Sequence, residues 1–376
     1  MSLNFYVTLA TNCNMKCSYC YGKSCEDFNS DFHGLQIDYS LPPSISYNVE
    51  TLRRFLKDEP HPLLVFYGGE PLLQMHQMEA VMDAVPRAKF VIQTNGLLLD
   101  KVETGYLERF STIYASLDGD ETLTDHYRGK GTFTRVARNL NAVRERGFKS
   151  EIVARMTVGE ETEIDRQVMA LLEEEDLPIS SVHWQLDALF WQNDFARRDF
   201  ANWATDSYNP KVRRLIGIWM EHMREEGKVL RLYPFIGVME SMLLGENSRL
   251  RCGAGWSLFN IQTDGNITPC PVMAGLKDFY VGNIQDTRPN GLREIMHLSE
   301  PCKDCNVRYL CGGRCLYANV TKLWGIQGFD LVCVTVRNMI SALHDVLSEV
   351  RKLIIDGKIG LSDFQYEKYD GCEIIP

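Results

Sequence analysis

Six short runs rich in β-branched and aromatic residues alternate with amphipathic stretches through the first 230 residues, and this alternation constrains the fold more than anything else in the chain. The runs cover residues 4–10, 63–67, 89–94, 112–117, 151–158 and 181–189, and helical patterns fill 49–57, 71–85, 101–110, 133–146, 161–175 and 210–226. Apolar strands that alternate with helices predict parallel pairing through right-handed crossovers. Six such units predict an α/β fold, a partial (β/α)6 barrel of the TIM type, with its chemistry at the C-terminal ends of the strands.

The sequence places its reactive residues at those ends. Cys13, Cys17 and Cys20 follow the first strand with C-x3-C-x2-C spacing, and Tyr19 stands inside the last interval. Three thiolates suit an iron-sulfur cubane whose fourth iron stays open to a ligand, which a four-thiolate electron-transfer cluster does not offer. Gly68-Gly69-Glu70-Pro71 follows the second strand, where glycine permits close backbone approach and proline starts a helix. Asn95 follows the third strand, Ser116 and Asp118 lie in S-L-D-G after the fourth, and Arg155 sits late in the fifth. Taken alone, Gly68-Gly69-Glu70-Pro71 and Ser116 read first as turn chemistry and Arg155 as a solvated charge. His183 on the sixth strand reads as a structural histidine.

After residue 230 the pattern changes. A Met-rich helical stretch near 238–244 leads to a cysteine-rich unit: Cys252, then G-x4-C ending at Cys270, then Cys302-x2-Cys305-x5-Cys311-x3-Cys315, then Cys333. Taken alone, Cys302 to Cys315 also has zinc-site spacing. Segments 190–209 and 277–289 read as loops, and Glu173 to Asp176 as a solvated helix end.

Composition removes several classes. The N-terminus lacks the basic region, apolar core and cleavage site of a signal peptide, so the twelve cysteines read as reduced thiols of a cytosolic protein, not as disulfides. No apolar stretch reaches the roughly 18–20 residues that a spanning helix needs, so no membrane partner is expected. A net charge of −10 disfavours a nucleic-acid partner. Length predicts two or three packed units.

The N-terminal triplet, G-G-E-P and S-L-D-G together resemble the radical S-adenosylmethionine (SAM) superfamily, and the seven later cysteines resemble its SPASM extension. The resemblance covers residues 4 to 345. It implies a barrel over 1–230, a bridge over 231–250, a SPASM domain over 251–345 and a tail over 346–376. It implies three 4Fe–4S clusters: Cys13, Cys17 and Cys20 hold the one that binds SAM, while Cys302, Cys305, Cys311 and Cys333 hold an outer auxiliary cluster. Cys252, Cys270 and Cys315 hold an inner one. The inner set is one thiolate short, a place open to Cys372, Cys25, a non-cysteine ligand, water or a substrate cysteine. By the same resemblance Gly68, Gly69, Glu70 and Pro71 meet the methionine amine, Ser116 and Asp118 the ribose, Arg155 the methionine carboxylate, and Tyr19 and Asn95 line the cofactor. Arg128, in D-H-Y-R followed by G-K-G-T-F, is a further contact.

The implied activity is reductive cleavage of SAM to a 5′-deoxyadenosyl radical, which abstracts a hydrogen from a peptide or protein. A thioether, a carbon-carbon crosslink or another oxidative change would follow. The implied partners are a flavodoxin- or ferredoxin-type reductant and a separate leader-binding protein, since about twelve residues precede Cys13. Residues 35–47 and 357–376 are leader-binding surfaces by elimination. One alternative is an anaerobic sulfatase-maturing enzyme, against which stands Pro271: in those enzymes an acidic residue follows the cysteine of G-x4-C. Others are a non-catalytic iron-sulfur or zinc redox protein and a small-molecule radical dehydrogenase.

Overall fold

The computed structural model describes residues 3–20, 34–190, 194–293 and 295–376. Six parallel strands, β1 (Asn4–Ala10), β2 (Leu63–Gly68), β3 (Lys89–Thr94), β4 (Phe110–Ser116), β5 (Glu151–Val158) and β6 (Ser181–Leu186), pair in chain order. The crossovers carry α1 (Val49–Phe55), α2 (Met75–Ala84), the single turn Thr104–Leu107, α3 (Glu121–Arg128), α4 (Thr132–Glu145) and α5 (Ile164–Glu173). Then follow α6 (Asn209–Glu225) and α7 (Tyr233–Leu244). Residues 101–110, expected as one helix, hold only a helical turn, because Gly105 and the β-branched Val102 and Thr104 give a weak helical frame.

Beyond β1 the sheet continues into the cysteine-rich half, which the strand pattern did not anticipate. There β7 (Leu258–Ile261) pairs parallel with β1, and β8 (Asn266–Thr268) and β9 (Gly282–Asn283) follow antiparallel, giving the order β6-β5-β4-β3-β2-β1-β7-β8-β9. The sheet is open, as a partial barrel requires. These three strands have four, three and two residues, too short for alternation to show. Residues 190–209 are likewise more ordered than a loop among the described positions, with helical turns at Phe200–Trp203 and Ala204–Tyr208.

The two faces of the sheet differ in chemistry. Phe5, Val7, Leu64, Phe66, Phe90, Ile92, Ile113, Ile152 and Trp184 pack outward under the helices, with Phe66 stacked on Phe90 and Phe5 edge-on to Phe55 of α1. The register aligns Gln93 with Tyr114, Ser116 with Arg155, Arg155 with His183, and Thr157 with Gln185. Paired residues share a face, so the barrel interior is lined by polar groups. That interior is where ligand chemistry is possible.

The last long helix, α9 (Gly325–Ile355), follows the short α8 (Leu316–Thr321) and packs along α6 and α7. By length and composition α9 could cross a membrane, a feature the sequence pattern missed. Its buried residues Phe329, Val332, Val336, Met339 and Leu343 recur at helical spacing. Its opposite face carries Asp345 and Glu349, paired with Arg213 and Arg224 of α6, the pattern of an amphipathic core helix. Residues 35–47, expected as a free surface, are stitched to neighbouring loops: Thr11 donates to Pro43 O, Thr263 to Pro42 O and Lys277 to Gln36 O.

Candidate active site

The cysteine loop 11–20 crosses the C-terminal ends of β1 to β4. It is held from below by glycine. A Cβ at Gly69 would collide with the Asn12 and Thr11 carbonyls, and one at Gly68, where φ is +147°, with Ala10 O. Without side chains there, Gly69 N–H donates to Ala10 O at 2.9 Å and Glu70 N–H to Asn12 O at 3.0 Å. The doublet thus serves the protein's own backbone, fixing where Cys13 sits.

Glu70 is fully buried and accepts from Leu72 N–H (3.0 Å), the Thr94 hydroxyl (2.8 Å) and Asn95 N–H (2.8 Å), so it caps the turn begun by Pro71 and ties β2 to β3. Burial outweighs these donors and raises its carboxyl to about 7. Asn95 donates through Nδ2 to Asn14 Oδ1 at 2.7 Å and points at Cys13 Sγ at 3.8 Å.

Asp118 is the other anchor. Its oxygens accept from Tyr19 Oη (2.8 Å), Arg128 Nε (2.7 Å) and Nη2 (3.0 Å), and Thr157 N–H (2.9 Å). Arg128 also lies over the Tyr19 ring, 5.5 Å from its centroid, and acts on Cys17 as the nearby cation. Sequence reasoning set Asp118 toward a ribose; the structure commits it to four donors of the chain itself. Arg128 reaches it because α3 ends at Arg128, where Gly129 leaves the helix with φ +104°.

Arg155, expected to face a carboxylate of the cofactor, has protein partners too. It donates to Gly371 O (3.2 Å) and Glu373 Oε2 (2.8 Å) of the C-terminal segment, which runs inside the barrel. The segment 369–376 is therefore tied to the inner face of the barrel and is not a free tail. Ser116, on the same face, stands beside Arg155 in register. His183 is fully buried, its Nε2 meeting Glu373 O, and burial together with Arg155 pushes it well below the usual imidazole range, so it is neutral.

The remaining cysteines fall into two sets. Cys302, Cys305, Cys311 and Cys333 line one cavity, with Cys315 and the side chains of Arg314 and Arg337 at its wall. The thiols of Cys305, Cys311 and Cys333 act on Cys302, which with burial is pushed to about 12. Cys315 acts on Cys252, both act on Cys270, and burial raises all three. The Cys372 thiol is buried beside Tyr114, Asp370 and Arg155. Cys25 lies outside the described residues. No disulfide joins the described cysteines, and among the described residues no three metal-binding side chains are grouped as round a single ion.

These features fit the groups that the cysteine patterns imply. Cys17 is buried and Cys13 exposed at the strand ends, and partial desolvation raises both thiols, which a bound metal centre would reverse. The buried Gln93 Oε1, His183 Nδ1 and Gln185 Oε1 have no hydrogen-bond partner, and the first and third face the barrel interior by register, as beside a missing polar ligand. Gln93 and Gln185 were not singled out from sequence, although the polar alternation Ser181, His183, Gln185 signals an inner polar face.

The open parallel barrel carries three thiols on the loop after its first strand, and residues 7–172 match the model of the Radical SAM superfamily. Among curated proteins it is similar to the cysteine-type anaerobic sulfatase-maturating enzyme of Clostridium perfringens (strain 13 / Type A), 26% identical over 340 residues, covering 81% of this chain and 86% of that protein. Its fold is similar to that of native anSMEcpe with bound AdoMet, with TM-score 0.73, 20% identity and coverage of 93% and 99% of the two chains. A more distant likeness is to Streptococcus suis SuiB bound to its precursor peptide SuiA, with TM-score 0.53, 16% identity and coverage of 84% and 72%.

Proposed function

We propose that this chain modifies a peptide or protein oxidatively, using SAM bound at the Cys13, Cys17 and Cys20 cluster and two auxiliary clusters in its C-terminal half. The observation that carries this reading is the inner face of the sheet, where the unpartnered Gln93 and Gln185 oxygens share a polar face with Ser116, Arg155 and His183 at the strand ends that the cysteine loop follows. When bound, the first cluster supplies the electron that cleaves SAM to a 5′-deoxyadenosyl radical and so removes a hydrogen atom from substrate.

The chain's own groups set the stage for that chemistry. Gly68 and Gly69 let the cysteine loop settle on β2, and Glu70 and Asn95 fix Cys13. Asp118 and Arg128 hold Tyr19 and with it the position of Cys17 and Cys20. The unpartnered Gln93 and Gln185 oxygens accept donors from a bound ligand, and neutral His183 forms part of the wall. Buried apolar strands around them exclude water from a reactive radical. Cys302, Cys305, Cys311 and Cys333 fit an iron-sulfur cluster better than zinc, because with Cys315 they line a cavity instead of a point. A second electron taken from the substrate radical has a route into such clusters. The reductant is a flavodoxin- or ferredoxin-type protein, and a leader-binding protein is a separate partner.

A second reading, formylglycine formation on a sulfatase, is favoured by the similarity to the Clostridium perfringens enzyme over 81% of this chain. Against it, Pro271 opens the short turn Pro271–Met273 directly after Cys270, where an acidic base is expected of maturases. The test is anaerobic turnover of two substrates by the reconstituted enzyme: a Cys-x-Pro-x-Arg peptide and a short Cys-, Asp-, Thr- or Tyr-rich peptide encoded beside the gene. Loss of hydrogen from the latter without aldehyde in the former supports the proposal; aldehyde formation sinks it.

A further inference from the structure

The chain leaves β6 at Asp187 and passes from the barrel rim to the cysteine-rich half. Asp187 N–H donates to Val158 O at 2.9 Å, which keeps it level with the end of β5. Continuing the alternation of His183 and Gln185 by one residue sets its side chain on the inner side of the rim. On the neighbouring strand Thr157, paired with Gln185, donates to the same Asp118 carboxylate that holds Tyr19 of the cysteine loop. Two residues beyond Asp187, Leu189 takes φ +70°, which a residue with a side chain seldom adopts, and lines the cavity that Cys302, Cys311 and Cys315 share. Asp187 therefore stands between the rim and the wall of that cavity.

Arg198 gathers three carboxylates here, and they are not equally engaged. Glu160 accepts from Arg198 on both oxygens, at 2.8 and 2.7 Å. Asp194 accepts from Arg198 Nη1 at 3.2 Å and from Trp324 Nε1 at 2.7 Å, one bond to each oxygen. Asp187 accepts from Arg198 Nη1 at 3.2 Å through Oδ2, while Oδ1 has no hydrogen bond among the described residues. The Asp187 side chain is 21% exposed, so that oxygen is not sealed in. By contrast Glu70 already accepts three hydrogen bonds and Asp118 four. Burial, with the charges of Asp194 and Glu160 set against that of Arg198, raises the Asp187 carboxyl to about 6. Tyr127 of α3 is the other titratable group that faces it.

We propose that Asp187, through Oδ1, accepts the proton that the peptide substrate loses as it is oxidised. The inference rests on the reading above that the chain modifies a peptide oxidatively. Removal of a hydrogen atom yields 5′-deoxyadenosine and a carbon radical on the peptide. When a thiol or other X–H group of the peptide bonds to that carbon, the X–H bond breaks, and one electron and one proton leave. The electron goes to an oxidised auxiliary iron-sulfur cluster and the proton to Asp187. A carboxylate that titrates just below neutral pH is ionised before the step and still basic enough to take the proton. Arg198 orients it, with Glu160 and Asp194 holding Arg198 in turn.

The test compares the reconstituted full chain with Asp187→Asn, Asp187→Ala and Asp194→Asn on the Cys-, Asp-, Thr- or Tyr-rich peptide encoded beside the gene. The readouts are 5′-deoxyadenosine, peptide product and iron content. Asp187→Asn should still release 5′-deoxyadenosine and keep its iron, while product per 5′-deoxyadenosine falls about 100-fold, the scale of a lost general base. Added acetate should restore product to Asp187→Ala. Asp194→Asn, which also takes a partner from Arg198, should keep the parent's ratio of product to 5′-deoxyadenosine. An unchanged ratio in Asp187→Asn would overturn the proposal. So would an equal fall in Asp194→Asn with no rescue by acetate, since the Arg198 group would then be structural. A second readout needs neither cofactor nor peptide: infrared difference spectra of the cluster-free chain, parent minus Asp187→Asn, should show one carboxyl titrating at about 6. A carboxyl ionised throughout that range would overturn the proposal by itself. A parent that releases 5′-deoxyadenosine and leaves the peptide unaltered would instead remove the reading beneath it.

Discussion

Replacing Asp118 by Ala tests how the cysteine loop is held. The Asp118 carboxylate is wholly buried and the Arg128 side chain is 7% exposed. The variant leaves a buried guanidinium without its counter-ion, keeping only the contact with the Tyr19 ring. Two charge-assisted hydrogen bonds from Arg128 are worth about 1.5–3 kcal/mol each, and stranding one partner of a buried pair costs about 3–5 kcal/mol. Losing the Tyr19 and Thr157 bonds adds to this, so the expected loss is at the upper end of that range. Urea unfolding of the cluster-free chain, followed by tryptophan fluorescence, measures it. Iron bound by the reconstituted variant should fall as well, because Tyr19 no longer fixes the loop. Changing Arg128 to Met alongside Asp118→Leu should recover at least half of the lost stability, since no charge is then stranded. A single-variant loss below about 1 kcal/mol, or a double variant as unstable as the sum of the singles, would refute the reasoning.

Other expected outcomes follow from the same geometry. Asp370 is buried without a cation and its carboxyl is raised to about 7 from 3.8; the folded state therefore holds a proton that the unfolded chain has lost. Stability contributed by this group is full below about pH 4 and falls as pH rises to about 7, by up to roughly 4 kcal/mol. Asp370→Asn should flatten that slope in urea midpoints taken at pH 5.5, 7 and 8, and an unchanged slope would contradict the burial argument. Gly69→Ala should reduce iron at the first cluster with the auxiliary clusters retained, whereas Gly105→Ala, which meets nothing within 4 Å, should leave iron content unchanged. Cys302→Ala or Cys305→Ala should chiefly damage folding and product formation, seen by comparing 5′-deoxyadenosine yield with peptide product.

Much of this architecture is legible in the chain. Strands 4–10, 89–94 and 151–158 fall at their expected bounds, because each is a full-length run with strong β-branched or aromatic content. What escaped depends on tertiary contact. Strands as short as Gly282–Asn283 carry no period, and the path of 369–376 is set by partners far away in the chain, as Tyr114 with Asp370 shows. The gathering of Cys302, Cys305, Cys311, Cys315 and Cys333 about one cavity follows their close spacing in the sequence, whereas their division into two sets comes from the family resemblance. The partners of Arg155, Asp118 and Glu70 were not, because a strand-end position identifies the rim of the barrel and not which carboxylate or donor meets it there.

The central claim is that Cys13, Cys17 and Cys20 hold a cluster that cleaves SAM. The most direct measurement is 5′-deoxyadenosine release by the anaerobically reconstituted, dithionite-reduced chain, beside a variant with Ala at any one of the three. The account predicts release by the parent and none by the variants. Absence of release from a parent with verified iron and sulfide, or equal release by the variants, would contradict it.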